Sequence, residues 1–185
     1  MRNAIPVLAA FAGLIVSSAA LAQTDTDTKD FSVIGNVPAM CVGGTLDGGD
    51  NIFDLGVLVD TATGLLRNDL SADDKVLTGS FCSTRSTIEV EATPLLAQSY
   101  AGDPPASFSK SVNYVATASG WTTNPAVYDT GAQSNPNAVQ SRSTPFTGDI
   151  TVGLSNFSTV GGNALLLVAD PEYQGTVTVT LTVAD

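Results

Sequence analysis

The sequence predicts an all-β fold, a β-sandwich of Greek-key type, and three observations support this prediction. Short segments of alternating apolar and polar residues recur along the chain, separated by turns rich in Gly, Pro and Asn. After the first 22 residues no segment has the 3.6-residue periodicity of an ordinary helix. The clearest alternation is in residues 174–183, where Val177, Val179, Leu181 and Val183 share one face and threonines occupy the other. The β-branched residues of this segment favour a strand with one buried face.

The remaining predicted strands follow the same patterns along the chain. They are expected at 31–37, 52–59, 75–82, 86–93, 111–118, 147–157 and 164–168. Residues 124–145 are rich in Asn, Ser, Thr, Pro and Gly, and only one short strand, around 126–128, is predicted there. Long irregular segments of this kind are often functional.

The first 22 residues have the pattern of a secretory signal peptide. Arg2 gives a short positive region, residues 5–16 are apolar, and Ala20-Leu21-Ala22 predicts cleavage after Ala22. The alternative, a membrane anchor, is disfavoured because an apolar run of about a dozen residues is too short to cross a bilayer.

The signal pattern predicts an exported protein with no membrane span once the signal is removed. The polar and charged residues 23–30 predict a disordered leader. Residues 31–185 then form a single predicted β-sandwich domain, long enough to bury a core of its own.

The charge of the chain excludes some classes of partner. Its 18 acidic and 7 basic residues give a formal net charge of −11. Such a surface repels phosphate, so neither nucleic acid nor an anionic membrane is an expected partner. No cofactor-binding motif is present, and no cofactor is expected.

Cys41 and Cys82 are the two cysteines of the chain. In an exported protein an even pair predicts one disulfide. A redox pair or a metal site is disfavoured, because both favour closely spaced cysteines or nearby histidines and the chain has no histidine. Closing this loop of about 40 residues would stabilise the fold by about 4 kcal/mol on the chain-entropy model.

Acidic residues in two places are candidates for chemical sites. Glu89 and Glu91 lie two apart on a predicted strand, about 7 Å from each other, which resembles a glycosidase carboxylate pair. A solvated strand face explains them better, and no enzymatic activity is expected. Asp47, Asp50 and Asp54 lie in a stretch similar to one calcium-binding turn, but its pattern is imperfect and unrepeated. They are weak calcium candidates, and no metal site is predicted.

Three aromatic residues are candidates for binding a sugar ring. Trp121, with Tyr114 and Tyr128, could form an aromatic platform, but the better interpretation is that Trp121 caps one end of the core. Together with residues 124–145, this platform supports the second hypothesis for the chain, a free-standing extracellular module that binds glycan or calcium.

Four segments resemble a known family. Residues 31–41 (FSVIGNVPAMC), 53–56 (FDLG), Cys82 and 173–181 (YQGTVTVTL) are similar to those of spore coat protein U-type domains, which resemble the pilins of chaperone–usher systems. The resemblance implies an immunoglobulin-like sandwich that lacks its last strand. It also implies that Cys41 and Cys82 are the family's disulfide.

The resemblance further implies a function in assembly. The apolar residues of 177–183 would belong to a strand that a periplasmic chaperone pairs with, before a sister subunit replaces the chaperone. The expected role is therefore a secreted structural subunit of a surface appendage or coat, assembled through a chaperone and an usher. One feature departs from the pilins, because residues 23–30 contain no alternating apolar donor segment. A subunit that only receives a strand, and a self-complemented monomer, both stay open.

Overall fold

The computed structural model describes residues 27–184, so the predicted signal peptide lies outside the described residues. Within that range, residues 27–36 and 37–184 are separate units. Residues 27–36 have no regular secondary structure and are exposed. The strand predicted at 31–37 is therefore wrong, and the first strand begins at Cys41.

The all-β prediction is confirmed, because the described part of the chain contains thirteen strands and no helix. Short strands with turns between them are what the alternation and the turn residues favour. The strands are β1 (Cys41–Val42), β2 (Thr45–Leu46), β3 (Lys75–Cys82), β4 (Ser86–Ala92), β5 (Leu95–Ala97), β6 (Phe108–Ser109), β7 (Ser111–Ser119), β8 (Ala126–Asp129), β9 (Val139–Arg142), β10 (Phe146–Thr159), β11 (Leu166–Leu167), β12 (Tyr173–Gln174) and β13 (Val177–Val183).

Two antiparallel sheets form the two layers of the sandwich. The larger sheet has the order β1-β3-β10-β7-β5-β12, with β2 also on β3 and β8 also on β7. The smaller sheet has the order β13-β4-β9, and β6 and β11 form a separate parallel pair. One apolar core joins residues of both sheets, including Ile88 and Val90 of β4 and Ile150 of β10, all fully buried. This is the packing expected of two sheets that each have one apolar face.

The strand predicted from the terminal alternation is present, in two pieces. Tyr173–Gln174 pairs with β5, and Val177–Val183 pairs with β4 over seven residues, from Val177 opposite Ala92 to Val183 opposite Ser86. Along β13 the apolar residues are half-buried and the threonines exposed. The alternation therefore predicts correctly which face of β13 meets the core.

Two predicted segments differ from the structure. Residues 52–59 are not a strand; only Val59 forms an isolated bridge, with Leu66. Gly56 has a φ of 61° and its N–H donates to the Asp54 carboxylate at 2.8 Å, so the local turn interrupts the strand there. Residues 124–145 are less irregular than predicted, because they contain both β8 and β9.

The predicted disulfide is confirmed. Cys41 and Cys82 are bonded and lie directly opposite each other on β1 and β3, with their Cα atoms 4.1 Å apart. The bond fixes the two-residue strand β1 at the edge of the larger sheet. It is also compatible with an extracellular protein.

Gly44 follows β1 and has a φ of 77°, and a Cβ there would lie 2.5 Å from the Thr78 main-chain oxygen. We expect Gly44→Ala to lower the free energy of unfolding by about 3 kcal/mol, from the left-handed backbone and the clash together. Gly48 is the matched control, since it has a φ of 69° but open space around its Cβ position. Gly48→Ala should cost only about 1–2 kcal/mol. Equal losses in urea unfolding of the two variants would contradict the close approach at Gly44.

Candidate functional site

The free edge of β13 is the main candidate site. β13 lies at one edge of the smaller sheet and pairs with β4 on one side. Two further main-chain bonds join the ends of the same strand pair: the Thr93 N–H donates to the Thr176 oxygen, and the Ala184 N–H donates to the Arg85 oxygen. Among the described residues, no strand pairs with the other side of β13. Unpaired main-chain groups along a seven-residue edge are a template for strand addition.

A groove of about 420 Å³ lies along this edge. On one side are residues 179–181 of β13, and on the other are Cys41, Gly43 and Gly44. Leu77 of β3 and Ile150 of β10 complete the lining. The groove therefore separates the edge of the smaller sheet from the β1 edge of the larger one, where a sandwich with one more strand would be closed.

The chemistry of the groove suits a main chain with small or apolar side chains. None of the residues that line it is charged. Gly43 and Gly44 add no side chains to its wall, and Ser80 Oγ donates to the Gly43 oxygen at 3.0 Å, which fixes this turn. An uncharged and partly apolar groove beside a free strand edge can bind an extended peptide through main-chain hydrogen bonds and apolar contacts.

Tyr114 anchors the start of β13. Its hydroxyl donates to the Thr176 main-chain oxygen at 3.0 Å, and the side chain is 2 % exposed. Burial raises the pKa of Tyr114 to about 12, so the hydroxyl stays protonated and donates at neutral pH. The position of β13 is thereby tied to β7 in the opposite sheet.

The four apolar residues predicted to pair with a partner strand have different positions. Val179 and Leu181 line the groove. Val177 packs on the buried core together with them, and Val183 is half-buried at the end of β13. The sequence does not predict the opposite wall of the groove at Gly43 and Gly44.

The aromatic platform, the less favoured interpretation of these three residues, is not formed. Trp121 is fully buried, Tyr114 is 2 % exposed, and only Tyr128 is half-buried. Trp121 instead packs on Phe146, with ring centroids 4.3 Å apart. Buried rings offer no face to a sugar, so the interpretation of Trp121 as part of the core is correct.

The calcium candidates do not converge on one point. Asp50 accepts the Ile52 N–H and lies 3.3 Å from Lys75 Nζ, and these two contacts, in that order, hold its pKa below the usual value. Asp54 instead accepts the Gly56 N–H. Within residues 27–184 no three or more metal-ligating side chains are close enough together to hold an ion. Asp47, Asp50 and Asp54 therefore do not form a calcium site there.

Glu89 and Glu91 lie on the face of β4 opposite the core. Ile88 precedes Glu89 and Val90 lies between the two glutamates, and both apolar residues are fully buried. Glu89 is half-buried and Glu91 is exposed. This alternation places the carboxylates on the outer face of the smaller sheet. They face solvent there, as the simpler interpretation of this pair predicts.

Residues 31–37 are an exposed apolar segment. Phe31, Val33, Ile34 and Val37 are 81–97 % exposed, far more than apolar side chains of a folded domain usually are. In an extended chain Phe31, Val33, Gly35 and Val37 would share one side. Contiguous exposed apolar residues of this kind make residues 31–37 a candidate for binding another polypeptide.

Comparison with protein-family models, with curated proteins and with solved structures finds no match. In the part of the chain that the structure describes, no helix is long and apolar enough to cross a membrane.

Proposed function

We propose that the chain is a secreted structural subunit of a surface appendage or coat, and that a β-strand from another polypeptide completes its sandwich. The observation that carries this proposal is the groove between β13 and β1, where the edges of both sheets end beside an uncharged cavity. In this proposal a periplasmic chaperone first supplies the completing strand and a sister subunit later replaces it, with an usher assembling the subunits.

Residues 31–37 are the donor strand in this proposal. The segment has seven residues, the same length as β13 (Val177–Val183), and its apolar side chains are free. Phe31, Val33, Gly35 and Val37 would face the groove, while the main chain pairs with the free edge of β13. The family resemblance assigns Phe31 and Val33 to the first strand, although they and their neighbours are the only residues that the sequence offers as a donor. Because that strand is not formed, each subunit can both give and receive a strand.

The proposal predicts self-association that depends on Val33. The oxidised protein without its signal peptide should form oligomers whose fraction rises with concentration, as light scattering after size-exclusion chromatography would show. Val33→Asp should give a monomer, because it brings a carboxylate into a groove whose lining contains no cation to compensate it. Val139→Asp is the matched control: Val139 is 46 % exposed on β9, at the opposite edge of the smaller sheet. It should associate as the parent protein does.

A peptide of residues 27–38 should then rescue the Val33→Asp variant. At about 100 times its dissociation constant the peptide would add about 2.7 kcal/mol to the free energy of unfolding, or about 5–10 °C in Tm. The same peptide with Val33→Asp should have no effect. Identical oligomeric states of the two variants, together with an unchanged Tm on adding the peptide, would show a sandwich closed on itself.

A further inference from the structure

A second cleft, of about 620 Å³, shares no lining residue with the groove. The extended segment 52–59 forms one side, and residues 166–173 form much of the rest, with Leu95 and Phe108. Its volume is in the range of about 300–1,000 Å³ typical of sites for small molecules. The proposed assembly uses none of these residues, so the cleft needs a separate explanation.

The lining is mainly apolar, and part of it is open to solvent. Leu167 and Val168 are buried at 9 % and 6 % exposure, whereas Ile52 and Val57 are 59 % and 60 % exposed. The Tyr173 hydroxyl donates to the Val168 main-chain oxygen at 2.8 Å, so its hydrogen is already bonded within the protein. The apolar interior would bind a hydrocarbon body and release water from these surfaces.

All charged residues that line the cleft are acidic. They are Asp54, Asp170 and Glu172, and none of the described lining residues is basic. Two cations lie beside the lining, and both are paired with carboxylates outside it. Arg67 Nη1 donates to the Val57 oxygen at 3.4 Å, and Arg67 is paired with Asp69 at 2.9 Å. Lys75 Nζ lies 5.8 Å from the centroid of the Phe53 ring and is paired with Asp50 at 3.3 Å. The three carboxylates are therefore not neutralised by a side chain within the cleft.

Asp170 is held in place as an anion. Partial burial alone would raise its pKa, but the N–H groups of Glu172 and Ser99, at 2.9 and 2.8 Å, lead the main-chain donors that bring the pKa below its usual value. These bonds also fix the carboxylate relative to Tyr173. Asp54 and Glu172 are exposed on the same lining.

We propose that this cleft binds a small amphipathic cation, a hydrocarbon body that carries one protonated amine. The body lies against Leu167, Val168 and Phe108, and the ammonium group lies at the acidic part of the lining, which Asp54, Asp170 and Glu172 make negative. Opposite charge provides the selectivity and apolar contact provides most of the affinity. The ligand class follows from the apolar lining and the acidic residues together, because neither an anion nor a highly polar molecule complements both.

The test compares three probes with the same ten-carbon chain. Isothermal titration of the full mature protein with n-decylammonium, decanol and decanoate, each below the concentration at which it aggregates, isolates the charge of the head group. We expect saturable 1:1 binding of decylammonium, at least tenfold tighter than that of decanol, and still weaker binding of decanoate. Equal affinities for the three probes, or no saturable binding of decylammonium, would overturn the proposal.

A charge reversal locates the site. Glu172→Lys should weaken decylammonium binding about tenfold and remove its advantage over decanol. The matched control is Glu91→Lys, which makes the same charge change at an exposed glutamate on β4. That variant should keep the affinity of the parent protein. Equal losses in the two variants would show attraction to the net negative charge of the protein instead of binding in the cleft. The groove proposal does not depend on either result.

Discussion

Trp121→Ala is expected to lower the free energy of unfolding by about 3–5 kcal/mol, the usual cost of truncating a fully buried large aromatic residue. Trp121 is 0 % exposed and packs on Phe146. Its main-chain oxygen accepts a bond from Arg142 Nη1 at 2.8 Å, and the Arg142 guanidinium lies 4.7 Å from the centroid of the Phe146 ring. Loss of the indole would therefore leave a cavity between the two sheets and remove support from β9 and β10.

Urea unfolding followed by far-UV circular dichroism measures this loss. Trp121→Phe keeps an aromatic ring and should cost less than the alanine variant. Val139→Ala, at a half-exposed position on β9, should change the free energy of unfolding by no more than about 0.5 kcal/mol. A loss below 1 kcal/mol for Trp121→Ala would mean that the ring is not part of the core.

Removal of the disulfide is the second change with a large expected effect. The bond closes a loop between residues 41 apart in sequence, so Cys41→Ala with Cys82→Ala should lower the free energy of unfolding by about 4 kcal/mol on the chain-entropy model. Alanine is preferred to serine because Cys82 is 1 % exposed and a hydroxyl there would be buried. Denaturant unfolding of the parent and the double variant gives the difference.

Reduction of the parent protein by dithiothreitol is the control for this experiment, because it breaks the same bond without changing a side chain. Both treatments should also weaken binding of the 27–38 peptide, since Cys41 lines the groove and β1 is bonded to β3. A stability loss under about 1 kcal/mol in both cases would contradict the importance of this cross-link.

The sequence predicts the strands whose alternation matches their burial. Val177–Val183 is one example, and β4 is another, because Ile88 and Val90 are buried while Glu91 is exposed. The strand prediction from alternation is wrong at Phe31 and Val33 for a physical reason. Alternation shows that a segment can present one apolar face, but it does not show whether the same chain covers that face.

Other parts of the structure leave little trace in the sequence. The groove joins Gly43 and Gly44 to Leu77, Ile150 and β13, residues far apart along the chain that no local pattern connects. Strand β9, with the sequence VQSR, has no alternation of apolar residues and is formed through its pairing with β4. Such elements depend on tertiary contacts, which single-sequence patterns do not contain.

The most direct test of strand addition is hydrogen–deuterium exchange along β13 in the Val33→Asp variant. We expect the outward amides of Val177–Val183 to exchange quickly in the free protein. They should slow at least 100-fold when the 27–38 peptide is bound, while Val139–Arg142 at the opposite edge is unchanged. Outward amides of β13 that are already fully protected without the peptide, or that do not respond to it, would contradict an open edge that a second polypeptide completes.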